Sequence, residues 1–442
     1  MGNVIVALAT APLKCALHLI RVSGDEAFSI TDEIFTHKIS GLEKRSVFLG
    51  NIHEGDEIID SVVLIAYPAP HTMTGENVVE ITCHGSVLIA NQIIGCYLKR
   101  GANYATRGEF SMRAFYNGKM DLVEAESVND LINATTKEAK NLSLMSLLGK
   151  TSSLITPLKK SLADLLSLVE VNIDYPEYED IEQANVDSIA KAIKPIRKEV
   201  QKLIAGGEEG IIIRQGVKVA LVGEPNVGKS SLLNALLHED KAIVSNIPGT
   251  TRDVVEGELN LQGIPLHLLD TAGIREEGDA LEALGMVKSQ KMIQEADMVI
   301  LLLDATKGLQ EVDKKILSYA KDKKTILVYN KSDLVKERKE GAIYISALEG
   351  KIQPLLDKIY ETLGVSSEAY TNPSLSNVRE LGLLRKIDKC LSEAENDCAA
   401  KLPIDLISVN LSASYNAARE LLGEEATTDL TDEIFSRFCV GK

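Results

Sequence analysis

The alternation of apolar and polar positions divides the 442-residue chain into stretches of different character. Up to about residue 118, short β-rich runs such as Ser61 to Ala66 and Val78 to Thr82 are bounded by Pro68, Pro70, Gly75 and Gly85. Such runs between turn residues predict strands, and the whole segment reads as an α+β domain. From Leu122 to Val169 the period changes. Leu142, Leu147, Leu154, Leu158, Leu162, Leu165, Leu166 and Val169 recur at helical spacing among Lys, Ser and Asp, which predicts long helices packed on one another. Beyond an acidic turn at Asp174 to Asp180, another helical stretch runs toward Gly206.

Strands and helices then alternate from Val217 to about Gly364, the order of an α/β domain. Helical periodicity returns in Leu381, Leu384, Ile387 and Leu391, and later in Leu421, Leu430 and Ile434. The economical arrangement is multidomain: an α+β domain over 1–118, a discontinuous α-helical domain over 119–215 and 365–442, and an α/β domain over 216–364 inserted in it.

Composition narrows the class. With 45% hydrophobic and 25% charged residues the chain reads as a soluble globular protein, and its length suits two to four domains. No window approaches the roughly 18 to 20 unbroken apolar residues of a membrane span. Met1 to Ile20 is apolar, but it lacks a basic leader and is interrupted by Pro12 and Lys14, so a first strand and its loop is expected and not a signal peptide. The six cysteines have no CxxC spacing, which suggests neither a zinc site nor a disulfide framework and fits a cytoplasmic location. A formal net charge of −16 opposes non-specific adhesion to nucleic acid. Any RNA contact is therefore local or shared with a partner.

The chemistry is concentrated in the α/β stretch. Val217 to Val222 is a β-branched run that leads into Gly223-Glu224-Pro225-Asn226-Val227-Gly228-Lys229-Ser230, then Ser231 and an apolar helix from Leu232. Strand, glycine loop and helix is the setting a phosphate-binding loop needs. The glycines let backbone N–H groups face phosphate oxygens, the helix presents its positive end, Lys229 reaches the β and γ phosphates, and Ser230 can hold Mg2+. The strand Leu266 to Leu269 delivers Asp270-Thr271-Ala272-Gly273, where Asp270 can order Mg2+ through its hydration shell and Gly273 can offer its N–H to the γ-phosphate. Between these motifs, Ser245-Asn246-Ile247-Pro248-Gly249-Thr250-Thr251-Arg252-Asp253 has the position of a switch that closes over Mg2+ through Thr251.

Thr325 to Tyr329 is a strand ending in Asn330-Lys331-Ser332-Asp333. A carboxylate at Asp333 accepts two N–H bonds from guanine, and adenine would leave it unpaired, which selects GTP over ATP. Ser346-Ala347-Leu348 after Ile343 to Ile345 reads as the last guanine-contacting loop. Ile274 stands after Gly273, where many small GTPases carry a water-orienting Gln. An apolar side chain cannot orient water, so another group must do so.

These motifs, with Arg21-Val22-Ser23-Gly24, Thr74-Gly75-Glu76-Asn77-Val78-Val79-Glu80, Gly108-Glu109-Phe110, Arg113 to Lys119 and the terminal Phe438-Cys439-Val440-Gly441-Lys442, make the chain resemble the MnmE (TrmE) family of tRNA-modification GTPases. The resemblance implies an N-terminal tetrahydrofolate-binding and dimerising domain, a discontinuous helical domain and an inserted P-loop Ras-like G domain. It also implies a homodimer that, with an MnmG-like FAD-dependent partner in a heterotetramer, modifies C5 of the wobble uridine of certain tRNAs. The group installed is aminomethyl or carboxymethylaminomethyl, with a formyl- or methylene-tetrahydrofolate one-carbon unit.

Residue by residue, the resemblance assigns Glu282 as the catalytic glutamate and Asn226, Ser245, Ile247 and Thr250 as K+ ligands, with hydrolysis activated by G-domain dimerisation. It assigns Arg21, Glu80, Lys119 and Lys442 to the folate site. Cys439 is a candidate catalytic thiol, with a packing role weighing equally. The chain departs from the family at Leu13-Lys14-Cys15-Ala16-Leu17-His18, where a glycine-rich run is usual. Cys83-His84 has no second ligand pair, so a packed strand end is expected there and not a metal site. A ribosome-assembly switch of the Era or EngA type would share the G domain, but the chain shows neither a terminal KH module nor a tandem second G domain.

Overall fold

The computed structural model describes residues 3–175, 185–238, 257–270 and 290–442, with the side chains of His238 and Asp270 excepted. The chain divides into two compact units. One comprises Met1–Asn129, Leu147–Lys159 and Asn416–Lys442, the other Asp130–Ser146 and Lys160–Tyr415.

The first unit is built on a six-stranded sheet. Its strands are β1 (Ile5–Leu8), β2 (Leu17–Ser23), β3 (Ser46–Glu54), β4 (Glu57–Tyr67), β5 (Val78–His84) and β6 (Asn103–Tyr104), in the spatial order β3-β4-β5-β2-β1-β6. All neighbours are antiparallel except β1 with β6. The period of two puts Ile20 and Val22, Val62, Leu64 and Ala66, and Val79, Ile81 and Cys83 on one face. That face is covered by the helix Val87–Leu98 through Ala90, Ile93, Ile94 and Tyr97. Each such apolar side chain contributes about 1.5–3 kcal/mol by leaving water.

The helix Glu109–Tyr116 starts at Gly108, which has φ 69°. A Cβ there would meet the Phe435 carbonyl oxygen at 2.5 Å, so only glycine lets the helix Thr428–Ser436 come this close. Leu122, Ala125, Ile434, Phe435 and Phe438 form the small core beneath.

The second unit holds β7 (Val217–Val222), β8 (Gly257–Leu261), β9 (Ile264–Asp270), β10 (Met298–Asp304), β11 (Lys324–Asn330) and β12 (Ile343–Tyr344), in the order β12-β11-β10-β7-β9-β8. Pairing is parallel throughout except between β8 and β9. β10 is buried at every position because both faces of a parallel sheet are covered. Leu221, Ile300 and Leu302 enter one core, and Ala220, Val222, Leu301 and Leu303 the other.

The helix Val186–Gln215 opens on a reciprocal cap between Asn185 and Ser188. It continues past Gly206, where the sequence pattern lets it run out, because its other glycines serve contact. A Cβ on Gly207 would meet the Leu375 carbonyl oxygen, and one on Gly210 the Ser374 hydroxyl, each at 2.4 Å. The following segment lies against the helix there and leads into the helix Val378–Ala399, which packs along it. Near its end Arg214 is ion-paired with Asp130 and donates to the Ser376 hydroxyl at 2.7 Å.

Candidate functional site

The carboxyl ends of β7, β9, β10 and β11 face the same edge of the second sheet. Register places Leu221 beside Asp270, Val222 beside Leu301, and Asp304 beside Asn330. After β7 the chain continues to one side of this strand with β8 and β9 and to the other with β10, and a doubly wound sheet binds ligands at such a switch point. The loop Gly223–Gly228 sits there, followed by the helix Lys229–His238.

Local backbone preferences shape the loop. Asn226 has φ 64°, a left-handed conformation that Asn tolerates, and Gly228 has φ 99°. A Cβ on Gly223 would meet the Leu302 carbonyl oxygen at 2.3 Å, so this glycine is required for the loop to leave the sheet against β10. Lys229 folds back and donates from Nζ to the carbonyls of Gly223 and Glu224, each at 2.8 Å. Its charge is thereby held at the loop that carries the backbone N–H groups. Ser230 and Ser231 follow on the first helical turn, both exposed.

Asn330 is buried and bridges two loops. Its Nδ2 donates to the Val227 carbonyl at 2.8 Å, and its Oδ1 accepts from the Ala347 N–H at 3.0 Å. The phosphate loop and the Ser346–Leu348 loop are thus fixed to the end of β11. Ser346 is buried and donates from Oγ to Asp333 Oδ1 at 2.6 Å. This bond holds the exposed Asp333 carboxylate below the usual carboxylate range. Leu348 is exposed beyond Ala347, so its side chain can cover a flat ring.

Lys331, at φ 63°, reaches back to Asp304 Oδ2 at 2.6 Å. Burial would raise the Asp304 pKa, but the Lys331 ammonium and two bonds from Thr306 outweigh it and hold it down at about 2. Asp304 was not singled out by its residue pattern. The signal available was its place as the one charged residue closing the apolar run Met298–Leu303.

Ser245, Asn246, Ile247, Pro248, Gly249, Thr250, Thr251, Thr271, Ala272, Gly273 and Glu282 lie outside the described residues, as does the Asp270 side chain. The hard oxygen donors of Ser230 and Asp270 are the type Mg2+ takes, and the Asn226 side-chain oxygen is the described candidate ligand for K+.

A second cluster lies in the first unit. Arg21 and Glu80 are direct partners across β2 and β5, and Arg21 Nε and NH2 both donate to Glu80 Oε1 at 2.9 and 2.7 Å. The Tyr67 hydroxyl donates to Glu80 Oε2 at 3.2 Å. Arg21 NH1 donates to the Gly441 carbonyl at 2.8 Å, and its guanidinium lies over the Phe110 ring at 5.8 Å. The tail is held there by a bridge between Val440 and Arg107, and by the Phe110 N–H donating to the Lys442 carbonyl at 3.2 Å. Gly441, at φ 91°, passes Ala9 so closely that a Cβ would come within 2.8 Å of its Cα. Cys439 is exposed beside this crossing.

Lys119 lies against Gly75, where a Cβ would come within 2.8 Å of its Cε. The same loop carries Glu76, which accepts from Arg113 at 3.1 Å and from Ser23 at 2.8 Å, Ser23 also meeting Thr74 at 2.7 Å. This buried network has no counterpart among the residues picked from sequence, although Glu76 and Arg113 sit inside quoted motifs.

In the segment that departs from a glycine-rich run, Cys15 is exposed and its Sγ lies 3.5 Å from Nδ1 of the buried His18. Cys83 is buried, whereas His84 is exposed and pairs with Asp60 at 2.7 Å, so only the first of the two packs at the strand end. No group of metal-ligating side chains occurs among the described residues, and none of their helices is long and apolar enough to cross a membrane.

Comparison with known proteins is consistent along the chain. Residues 4–119 match the model of the GTP-binding protein TrmE N-terminus, and residues 122–439 that of the MnmE helical domain. The tRNA modification GTPase MnmE of Mesoplasma florum is 40% identical, with 100% of this chain and 99% of that protein covered. Its counterpart in Mycoplasma mycoides subsp. mycoides is 38% identical, with both chains covered in full. Among solved structures, Aquifex aeolicus Era bound to GDP.AlF4- is 29% identical over 39% of this chain and 66% of that one, at a TM-score of 0.27.

Proposed function

This chain belongs to the MnmE family of tRNA modification GTPases, and on that premise we propose that it couples GTP hydrolysis to modification at C5 of a tRNA wobble uridine. The observation that carries the GTP half is the pair of bonds by which Asn330 ties the phosphate loop to the Ser346–Leu348 loop. With both loops anchored on one buried amide, Lys229 and the backbone N–H groups of the phosphate loop meet the phosphates while Asp333 accepts from guanine. Preorganised groups of this kind stabilise developing charge without reorganising at the moment of reaction.

Ser230 and Thr251 would hold Mg2+, with Asp270 ordering its hydration shell, and the ion would neutralise charge on the β and γ phosphates when bound. Asn226, with Ser245, Ile247 and Thr250, would hold K+. Glu282 orients the attacking water in place of the side chain missing at Ile274. G-domain pairing within a homodimer completes the site.

The modification half rests on the Arg21–Glu80–tail cluster. A carboxylate already oriented by Arg21 and Tyr67 suits the N–H groups of a pterin ring, and cationic side chains suit the folate carboxylates. Arg21, Glu80, Lys119 and Lys442 are the residues of this site, and a formyl- or methylene-tetrahydrofolate supplies the one-carbon unit when bound. Cys439 lies beside the same crossing and is assigned to the modification reaction, carried out in the cytoplasm with an FAD-dependent MnmG-like partner in a heterotetramer.

The test is a chain truncated after Phe438, introduced into cells lacking the protein. Purified, it retains GTP hydrolysis, while mass spectrometry of wobble uridines finds no modified base. Modified uridine at the wild-type level would remove the tail from the reaction.

A further inference from the structure

Up to Gly207 the helix Val186–Gln215 is buried at Ile189, Ile193, Val200 and Gly207, which lie within about 40° of one another at 3.6 residues per turn; its other buried positions, Gly210 and Ile213, come after the last lysine. Lys191, Lys194, Lys198 and Lys202 fall on the opposite side, in a strip about 80° wide. All four are exposed. They follow one another by three or four residues, so the file extends about 16 Å along the helix axis.

Two features set this file apart from an ordinary solvated helix face. First, it is poor in acids. Arg197, on the flank turned toward the helix Val378–Ala399, bonds Asp388 and Glu395 at 3.0 and 2.5 Å, whereas the lysine strip carries acids at its ends, Asp187 and Glu209, with the exposed Glu199 beside it three residues before Lys202. Second, Lys194, Lys198 and Lys202 are spaced i, i+4, a like-charge arrangement that destabilises a helix by about 0.2–0.5 kcal/mol per pair. In a chain with 64 acidic and 48 basic residues, four adjacent lysines on one face form a local positive field within a molecule of opposite net sign.

We propose that this lysine file is a docking surface for the sugar-phosphate backbone of tRNA. The choice of polyanion rests on the tRNA-modification reading; the surface itself rests on the spacing, exposure and charge of the four side chains. Ammonium groups on flexible stems suit phosphates as point charges without reading bases. The contact would therefore be insensitive to sequence and strongly dependent on salt.

The experiment measures binding of tRNA lacking the wobble modification to the full chain across a salt series. Each phosphate contact contributes about 0.7–0.9 to the slope of log K against log salt. The combined change Lys191→Gln, Lys194→Gln, Lys198→Gln and Lys202→Gln is expected to lower the slope by about 3, with helix content by circular dichroism unchanged. The four Lys→Arg changes should retain it. A control that neutralises Lys38, Lys44, Lys315 and Lys321 removes the same total charge and should leave most of the slope.

An unchanged slope in the first variant, an equal loss in the control, or no tRNA binding by the unaltered chain would each overturn the proposal. Failure of the tRNA reading itself has a different signature, namely full wobble modification in cells that lack the protein.

Discussion

Asn330 donates from its side-chain amide to the Val227 carbonyl across 103 positions of sequence, at 2.8 Å and out of contact with solvent. The same amide accepts from Ala347, so one side chain sets the distance between the loop proposed to meet phosphate and the loop proposed to meet the base.

Replacing Asn330 by Ala leaves a buried carbonyl and a buried N–H without partners, a cost of about 1–3 kcal/mol for each such group. Asn330→Asp is expected to be at least as damaging, because a carboxylate oxygen would then face the Val227 carbonyl. Both variants should lose GTP affinity by more than tenfold and melt earlier. Titration with a fluorescent GTP analogue and thermal unfolding check this, and unchanged affinity in either would break the link between the two loops.

Asp333 presents an exposed carboxylate steadied by Ser346. Asp333→Asn exchanges an acceptor for a donor, so preference should turn from guanine toward xanthine nucleotides. Competition between GTP and XTP measures it. Retained selectivity for GTP would place guanine recognition elsewhere.

The Lys331–Asp304 pair predicts a response to acid. The folded pKa of Asp304 is held at about 2, below the ordinary aspartate value of about 3.9. A depressed folded pKa gives stability that is fully present above the unfolded value and is lost as pH falls through the folded one. Between about pH 4 and pH 2, stability should therefore fall less steeply in Asp304→Asn than in the wild type. Urea unfolding across this window decides it, and parallel slopes would show that the pair has no part in acid stability.

Hydrolysis is expected to need both Glu282 and a potassium ion. Glu282→Ala should leave GTP binding intact and slow single-turnover hydrolysis by about 10² or more, the usual scale for a positioned acid or base. Substituting K+ for Na+ at constant ionic strength should raise the wild-type rate, and Asn226→Ala should abolish that response. Equal rates in the two salts would leave charge stabilisation to a cation from a partner.

Much of this was readable from residue order, for a physical reason. The phosphate loop is written in residue types because its geometry depends on missing side chains: Gly223 and Gly228 stand where any Cβ would collide. Strands β7 and β11 followed from runs of β-branched and apolar residues. What period and motif do not encode is long-range pairing. Asn330 is legible as a guanine-motif residue, but its partners, Val227 and Ala347, are known only once β11 is placed beside β10. Asp304 and the Glu76–Arg113 pair look like ordinary charges until burial reveals their partners. The continuation of the long helix past Gly206 was hidden for a related reason: glycine signals a stop in isolation and close packing in context.

The crossing of the tail over Arg21 imposes an order in time. The first unit is assembled from segments separated by nearly the whole chain, with Asn129 and Asn416 at the edges of the longest gap apart from one short return at Leu147–Lys159. At about 5–20 residues per second, the ribosome needs on the order of tens of seconds to make what lies between them. Through that interval Arg21 has no Gly441 to bond, Phe110 has no Lys442, and the small core of Leu122 and Ala125 waits for Phe435. The second sheet, drawn from one contiguous stretch, can close meanwhile. During synthesis the nascent protein would therefore acquire its nucleotide fold before the unit that begins the chain is complete.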